Sequence, residues 1–243
     1  MPFTSTDRDN SIPPVVSKGY QAKGSYQTIN GLKTYVTGPA TATKAILVVY
    51  DIFGFFDQTI QGADILATSN DQKYRSRRHL LVPPPTTDEH KQKLGNFFQT
   101  QAAPPKTLSK IPDIVKEANQ AAPGGTFQSW SILGFCWGGK IAALSAGADN
   151  KIFKAAAQCH PAMVDPNDAK TINVPFACLA SKDEPADDVK AFKANLTVPN
   201  HVETFSTQIH GWMAARSDLE DPEVVKEYER GYKTVLDFFH SHA

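Results

Sequence analysis

Residues 131–140 constrain the fold more than any other part of the sequence. They start as an apolar run, pass through a cysteine with a glycine two residues away on either side, and continue into a segment of small residues. An apolar run that stops at a tight glycine turn and leads into small residues predicts a strand followed at once by a helix. The chain therefore contains a βα unit, which is typical of parallel sheets.

The same alternation of short apolar runs and amphipathic segments continues along the chain. Residues 44–50 are apolar on both faces, as expected of a central strand covered by helices on both sides. Similar runs lie at residues 130–135, 153–158 and 174–180. Apolar residues three to four apart predict one helix over residues 108–118 and another after Asp221, which can cap it.

These patterns predict one α/β domain over residues 1–243, with an irregular N-terminal arm at residues 1–23. The Asn30-Gly31 pair between two β-prone runs predicts an antiparallel hairpin with a type I′ turn. We therefore expect a mostly parallel central sheet with helices on both faces and an antiparallel hairpin at its start.

Composition excludes several classes of partner. Twenty-five Lys and Arg balance twenty-five Asp and Glu, so no net charge attracts nucleic acid. The apolar run at residues 45–50 is far shorter than the ~20 residues of a membrane span, and no secretory signal precedes the fold. We expect a cytoplasmic monomer or homodimer without membrane or nucleic acid partners, with its three cysteines as free thiols.

The turn Gly134-Phe-Cys-Trp-Gly138 has the form of a nucleophile elbow with Cys136 at its tip. In such an elbow the nucleophile lies in a strained turn between strand and helix, and the glycines keep other side chains away. The helix N-terminus favours a thiolate, and the Trp137 N–H can help to hold an oxyanion. This pattern favours covalent catalysis, although a buried structural cysteine fits the pentapeptide as well.

Two other readings of this segment fail at specific positions. Residues 134–140 fit a phosphate loop, but Ile141 follows where Ser or Thr is needed to hold Mg²⁺. A cysteine phosphatase needs an arginine six residues after the nucleophile, and Ala142 occupies that position. No cluster has the spacing of a zinc site, so we expect no metal.

A nucleophile of this kind needs a histidine base and an acid that orients it, and in this fold they follow in the order nucleophile, acid, histidine. Asp183 lies just after the run at residues 174–180, at a strand end. His210 follows a segment of alternating polarity and precedes the last helix. His160 is also near a strand end but comes before Asp183, so the order favours His210.

The sequence resembles the dienelactone hydrolase family of α/β-hydrolases, particularly its fungal branch. The similar motifs are Tyr50-Asp-Ile-Phe-Gly-Phe-Phe56, Gly134-Phe-Cys-Trp-Gly-Gly139, His160-Pro-Ala-Met-Val-Asp165, Ser181-Lys-Asp-Glu184 and His210-Gly-Trp212. The resemblance implies an α/β-hydrolase fold and a Cys136–Asp183–His210 triad. It further implies hydrolysis of a lactone or related ester, by way of an acyl-enzyme and without a cofactor.

The resemblance also implies roles for residues around the triad. Asp51 is at the position of a glutamate that, in bacterial relatives, holds the resting thiol and assists its ionisation. The Ile52 N–H is the expected second oxyanion donor beside that of Trp137. We expect a substrate pocket lined by four residues: Phe53, His160, Trp212 and Arg216.

The sequence departs from the family pattern at residues 74–92, where we expect a rebuilt or disabled pocket wall. Bacterial relatives bind the substrate carboxylate with arginines, one of them four residues after the catalytic histidine, where this chain has Ala214. Two alternatives to an ester, lactone or thioester hydrolase therefore stay open. One is a non-catalytic binding or regulatory relative, and the other is a redox-sensing thiol protein.

Overall fold

The computed structural model describes residues 15–16, 18–68, 74–78, 103–147 and 149–243. The strands in these ranges are β1 (Ser25–Ile29), β2 (Leu32–Thr37), β3 (Lys44–Val49), β4 (Tyr74–Arg78), β5 (Ser129–Phe135), β6 (Phe153–Cys159), β7 (Phe176–Ser181) and β8 (Asn200–Phe205). The helices are α1 (Asp57–Thr68), α2 (Pro104–Leu108), α3 (Ile111–Gln120), α4 (Trp137–Ser145), α5 (Pro166–Ala169), α6 (Ala186–Asn195) and α7 (Pro222–His242).

The strands form one sheet in the order β1-β2-β4-β3-β5-β6-β7-β8. β1 and β2 form an antiparallel hairpin, and β2 is antiparallel to β4. The six strands β3 to β8 are mutually parallel. Asn30 and Gly31 have φ angles of 50° and 70°, as a type I′ turn requires. The predicted fold class is therefore confirmed.

Helices cover both faces of the sheet, as the apolar strands predict. On one face α3, α4 and α6 contribute Ile114, Ile141 and Phe192 to a buried cluster. On the other face α1 and α7 contribute Leu66 and Tyr232 to a second cluster. Successive residues of a strand point to opposite faces, so β3, β5, β6 and β7 each supply both clusters. The carboxyl ends of these strands lie at the edge of the sheet where such folds build their sites.

The helix boundaries follow local chemistry. Asp221 caps α7 by accepting a hydrogen bond from the Glu223 N–H at 2.9 Å, as predicted. The helix expected over residues 108–118 is instead two helices, with Leu108 ending α2. Pro112 explains the break because it lacks an N–H donor and fits only the first turn of the new helix α3.

Residues 18–23, which belong to the predicted arm, contain no helix or strand and run along α1. There Asp64 accepts hydrogen bonds from the Tyr20 hydroxyl at 2.9 Å and the Lys23 N–H at 3.0 Å. Residues 74–78 of the divergent region form β4, whereas residues 79–92 and residues 1–14 of the arm lie outside the described residues. No helix within the described residues is long and apolar enough to cross a membrane.

Replacing Gly62 with alanine tests the packing of α1 against α7. A Cβ atom there would lie 1.8 Å from the Tyr232 hydroxyl oxygen, which is itself bonded to the Met213 carbonyl at 2.7 Å. We expect Gly62→Ala to lower the free energy of unfolding by about 1–3 kcal/mol, although alanine favours a helix over glycine by about 1 kcal/mol. Urea denaturation measures the change.

Gly124→Ala is the matched control, because the nearest atom to a Cβ atom at Gly124 is 3.9 Å away. That variant should unfold within about 0.5 kcal/mol of the wild type. A stabilised Gly62→Ala variant would contradict the close contact between Gly62 and Tyr232.

Candidate active site

Cys136 lies at the tip of a sharp turn between β5 and α4. Its φ and ψ angles are 53° and −118°, which an L-residue rarely adopts and which marks local strain. The Cys136 N–H donates to the Cys159 carbonyl at 3.2 Å, and the Cys136 carbonyl accepts from the Gly139 and Ala162 N–H groups at 2.9 and 3.0 Å. The neighbouring strand thus fixes the strained backbone and presents the partly exposed thiol at the start of a helix.

The two flanking glycines are required by backbone contacts within the elbow. A Cβ atom on Gly134 would lie 1.9 Å from the Gly138 carbonyl oxygen, and one on Gly138 would lie 2.1 Å from the Val49 carbonyl oxygen. The turn therefore packs its backbone against itself and against the end of β3. Any side chain at either glycine would force the elbow open.

His210 is held in the loop after β8 by contacts from three directions. Its main-chain N–H donates to Asp183 Oδ2 at 2.8 Å, and its carbonyl accepts from Arg216 Nη1 at 2.8 Å. Its ring Nδ1 lies 2.7 Å from Glu184 Oε1. Because an ionised carboxylate only accepts hydrogen bonds, Nδ1 carries a proton in this contact, and Nε2 is the ring nitrogen left for Cys136.

The acid at the imidazole therefore differs from the sequence prediction. The sequence favours Asp183 as the acid that orients the ring. In the structure the Asp183 carboxylate accepts from the His210 main-chain N–H, and the carboxylate of the next residue, Glu184, contacts the ring. The physical reason is the anchoring of Glu184: its carboxylate accepts hydrogen bonds from the Ser181 N–H and from Ser181 Oγ, the latter at 3.0 Å. This contact turns the Glu184 side chain inward, where it is 3% exposed, towards His210.

The charge on His210 is set by these neighbours. Burial by itself lowers the pKa of His210, but hydrogen bonds and charge interactions with Cys136 and Glu184 oppose it and raise the pKa to about 10. The imidazole is therefore a cation at neutral pH, placed between a thiol and a buried carboxylate.

Asp51 shapes the turn that follows β3. It is 3% exposed, and its Oδ1 accepts from the N–H groups of Phe53 at 2.9 Å and Gly54 at 3.2 Å. Since β3 lies beside β5 with Val49 opposite Gly134, this turn borders the elbow. The sheet thus brings the half-buried Ile52 to the same edge as Trp137, the first residue of α4.

His160 lies beneath Cys136 and His210. Its ring is fully buried, stacks on Phe135 at 5.5 Å between centroids, and meets the His210 ring nearly edge-on at 5.2 Å. Neither ring nitrogen has a hydrogen-bond partner within the part of the chain that the structure describes. Burial, reinforced by the charge on His210, lowers the pKa of His160 well below its usual value, so this ring is neutral.

Two of the predicted pocket residues have other roles. Trp212 is fully buried and packs on Phe205 at 4.3 Å between ring centroids, so it belongs to the core. Gly231 on α7 leaves the room it needs, because a Cβ atom there would lie 2.4 Å from the indole ring. Arg216 braces the His210 carbonyl, whereas Phe53 is half-buried in the turn after β3.

Sequence reasoning missed Glu184 and Ser181 as parts of the site. Both belong to the motif that indicated Asp183, and two adjacent carboxylates after a strand were the available signal. Their order along the chain does not reveal which one faces the histidine, because that depends on the Ser181 hydrogen bonds.

A strand-to-helix elbow with a nucleophile, followed in chain order by an acid and a histidine on one parallel sheet, defines the class of α/β-hydrolases. The fold is also that of solved members of this class. A dienelactone hydrolase from Anabaena variabilis superposes with a TM-score of 0.63 at 12% identity, over 91% of this chain and 98% of that one.

The chain belongs to the dienelactone hydrolase family, whose sequence profile matches residues 80–243. It is 36% identical to an uncharacterized AIM2 family protein of Schizosaccharomyces pombe, over 93% of this chain and 94% of the relative. It is also 25% identical to a carboxymethylenebutenolidase homolog of Xenopus tropicalis, over 92% of both chains. Family and fold together support a hydrolase.

The raised pKa of His210 predicts how stability depends on pH. Because the folded-state pKa of about 10 exceeds the ordinary value of 6.5, the stabilisation from this proton is fully present below about pH 6.5 and is lost as the pH rises through about 10. We expect the difference in unfolding free energy between wild type and His210→Gln to shrink from about pH 6 to about pH 10.

Urea denaturation across this range measures the difference, with His201→Gln as the control. His201 lies at the opposite end of β8 and pairs with Glu203 at 3.1 Å, away from the thiol. A pH-independent difference for His210→Gln would contradict the proposed proton linkage.

Proposed function

We propose that the protein hydrolyses a small lactone, ester or thioester through a covalent acyl-enzyme on Cys136. The observation that carries the proposal is the strained Cys136 thiol at the start of α4, facing a histidine that is itself backed by a buried carboxylate. This is the arrangement that activates a cysteine nucleophile. Family membership supports the same class of reaction.

In the acylation step His210 holds the proton taken from the thiol, and the Cys136 sulfur attacks the substrate carbonyl carbon. The carbonyl oxygen becomes an oxyanion, which the N–H groups of Trp137 and Ile52 stabilise. When the intermediate collapses, the bond to the leaving oxygen or sulfur breaks and His210 gives its proton to that atom. A lactone opens its ring at this step.

In the deacylation step the now neutral His210 takes a proton from water, and the hydroxide attacks the thioester carbon. The Cys136 sulfur leaves as a thiolate, and the acid product is released. The chain's own groups supply every proton transfer. Asp51, placed at the edge of the elbow, contributes by keeping the oxyanion turn in shape through its bonds to Phe53 and Gly54.

Cys136→Ala should abolish the acyl-enzyme. We expect wild type to give a burst of p-nitrophenol from p-nitrophenyl acetate and a mass increase of one acetyl group, and Cys136→Ala to give neither. Stopped-flow absorbance and intact mass spectrometry under reducing conditions measure both. Cys178→Ala is the matched control, because Cys178 is fully buried and burial raises the pKa of its thiol to about 12.

The outcomes separate the proposal from its alternatives. No burst and no adduct in wild type would favour a binding or regulatory relative that keeps the elbow as a scaffold. Reversible oxidation of Cys136 without ester turnover would favour a redox-sensing thiol. An adduct that persisted in Cys136→Ala would show that another residue is the nucleophile.

The substrate is expected to lack a free carboxylate. Ala214 is buried at the position where bacterial relatives place an arginine, and the Arg216 guanidinium is bonded to the His210 carbonyl. Ala214 offers a carboxylate no charged partner, and the exposed Arg216 guanidinium lies two residues further along the chain, turned towards the His210 carbonyl. The proposal therefore favours neutral small esters and lactones.

A lactone with its side carboxylate either free or capped as a primary amide tests this preference. We expect kcat/KM for the capped form to exceed that for the free acid by about tenfold or more, because a free carboxylate must lose part of its water with no arginine at position 214 to replace it. Steady-state hydrolysis of the two forms measures the ratio. Equal or faster turnover of the free acid would show that the chain supplies a cation elsewhere.

A further inference from the structure

Two adjacent carboxylates contact the same histidine, and they contact different parts of it. Asp183 Oδ2 accepts the His210 main-chain N–H at 2.8 Å, whereas Glu184 Oε1 lies 2.7 Å from ring Nδ1. We propose that Glu184 is the acid that orients and polarises the His210 ring, and that Asp183 positions the loop that carries the histidine. This inference rests on the proposed function.

Burial separates the two carboxylates further. Asp183 is exposed, so water and salt screen its charge, whereas the Glu184 side chain is 3% exposed. The attraction between a carboxylate and an imidazolium grows as the surrounding dielectric falls. The carboxylate with the stronger effect on the ring is therefore the buried one.

Glu184 is also held in place before any substrate binds. Ser181 donates to both of its oxygens, with its N–H to Oε2 and its hydroxyl to Oε1. The hydroxyl oxygen of Ser181 in turn accepts from the Asp183 N–H at 3.2 Å. A buried carboxylate needs hydrogen-bond donors in place of the water it has lost, and Ser181 and His210 together supply them.

Asp183 is suited to a different task. Two hydrogen bonds join the loop after β7 to the loop after β8. The Asp183 carboxylate accepts from the His210 N–H, and the Lys182 N–H donates to the Gln208 carbonyl at 3.0 Å. These bonds set the height of His210 above the sheet. They do not select which ring nitrogen carries the proton, because they end on the main chain.

The isosteric variants Glu184→Gln and Asp183→Asn test this division. In Glu184→Gln the ring loses its charged acceptor, and we expect kcat to fall by about 10²–10⁴-fold. In Asp183→Asn an amide oxygen still accepts the His210 N–H, so kcat should fall by less than about tenfold. A larger loss in Asp183→Asn than in Glu184→Gln would overturn the assignment.

A spectroscopic readout separates orientation of the ring from mere folding. The His210 Nδ1 proton, in a short hydrogen bond to a carboxylate, should give a downfield ¹H resonance in wild type and in Asp183→Asn but not in Glu184→Gln. In Glu184→Gln the ring should also titrate at lower pH. Loss of the resonance in Asp183→Asn with retention in Glu184→Gln would refute the proposal.

Ser181→Ala is a second variant that keeps both carboxylates. It removes one donor from Glu184, so the downfield resonance should weaken and the ring should titrate between the wild-type and Glu184→Gln values. No change in Ser181→Ala would contradict the anchoring by Ser181. Because the spectra need no turnover, they test Glu184 even if the wild type forms no acyl-enzyme, so the two proposals fail independently.

Discussion

The contact between the elbow and the end of β3 sets the Cys136 thiol beside the two expected oxyanion donors. Gly138 brings its backbone against the Val49 carbonyl so closely that a Cβ atom would approach to 2.1 Å. This contact sets the turn after β3 beside the helix start at Trp137, so the two expected oxyanion donors come from touching segments. Cys136 takes its strained φ because the chain must reverse there without room for side chains.

The features that the sequence predicted are those governed by local chemistry. Asn30 and Gly31 adopt the positive φ angles of the hairpin turn, and Asp221 caps the last helix, because both effects act within a few residues. The elbow belongs to the same group, since its two glycines indicate a turn with no room for side chains. The parallel sheet follows from runs that are apolar on both faces.

The features that sequence reasoning did not predict depend on contacts between distant segments. Whether Asp183 or Glu184 meets the His210 ring is decided by Ser181 and by the position of the loop after β8. Trp212 is next to the site in sequence, but it is buried because Gly231, on a helix that follows later, leaves a space for its ring. The adjacent carboxylates mark the place of the acid, but the choice between them, like the burial of Trp212, depends on how distant segments pack.

The two histidines of the site show how burial divides charge between similar groups. Two charged rings 5.2 Å apart would repel by about 3 kcal/mol at an effective dielectric constant of ~20, so only one can be protonated readily. His160 is fully buried, and its ring nitrogens have no hydrogen-bond partner among the described residues, whereas His210 has both a carboxylate and a thiol. The proton therefore resides on His210, and the neutral His160 ring packs nearly edge-on against it without competing for Glu184.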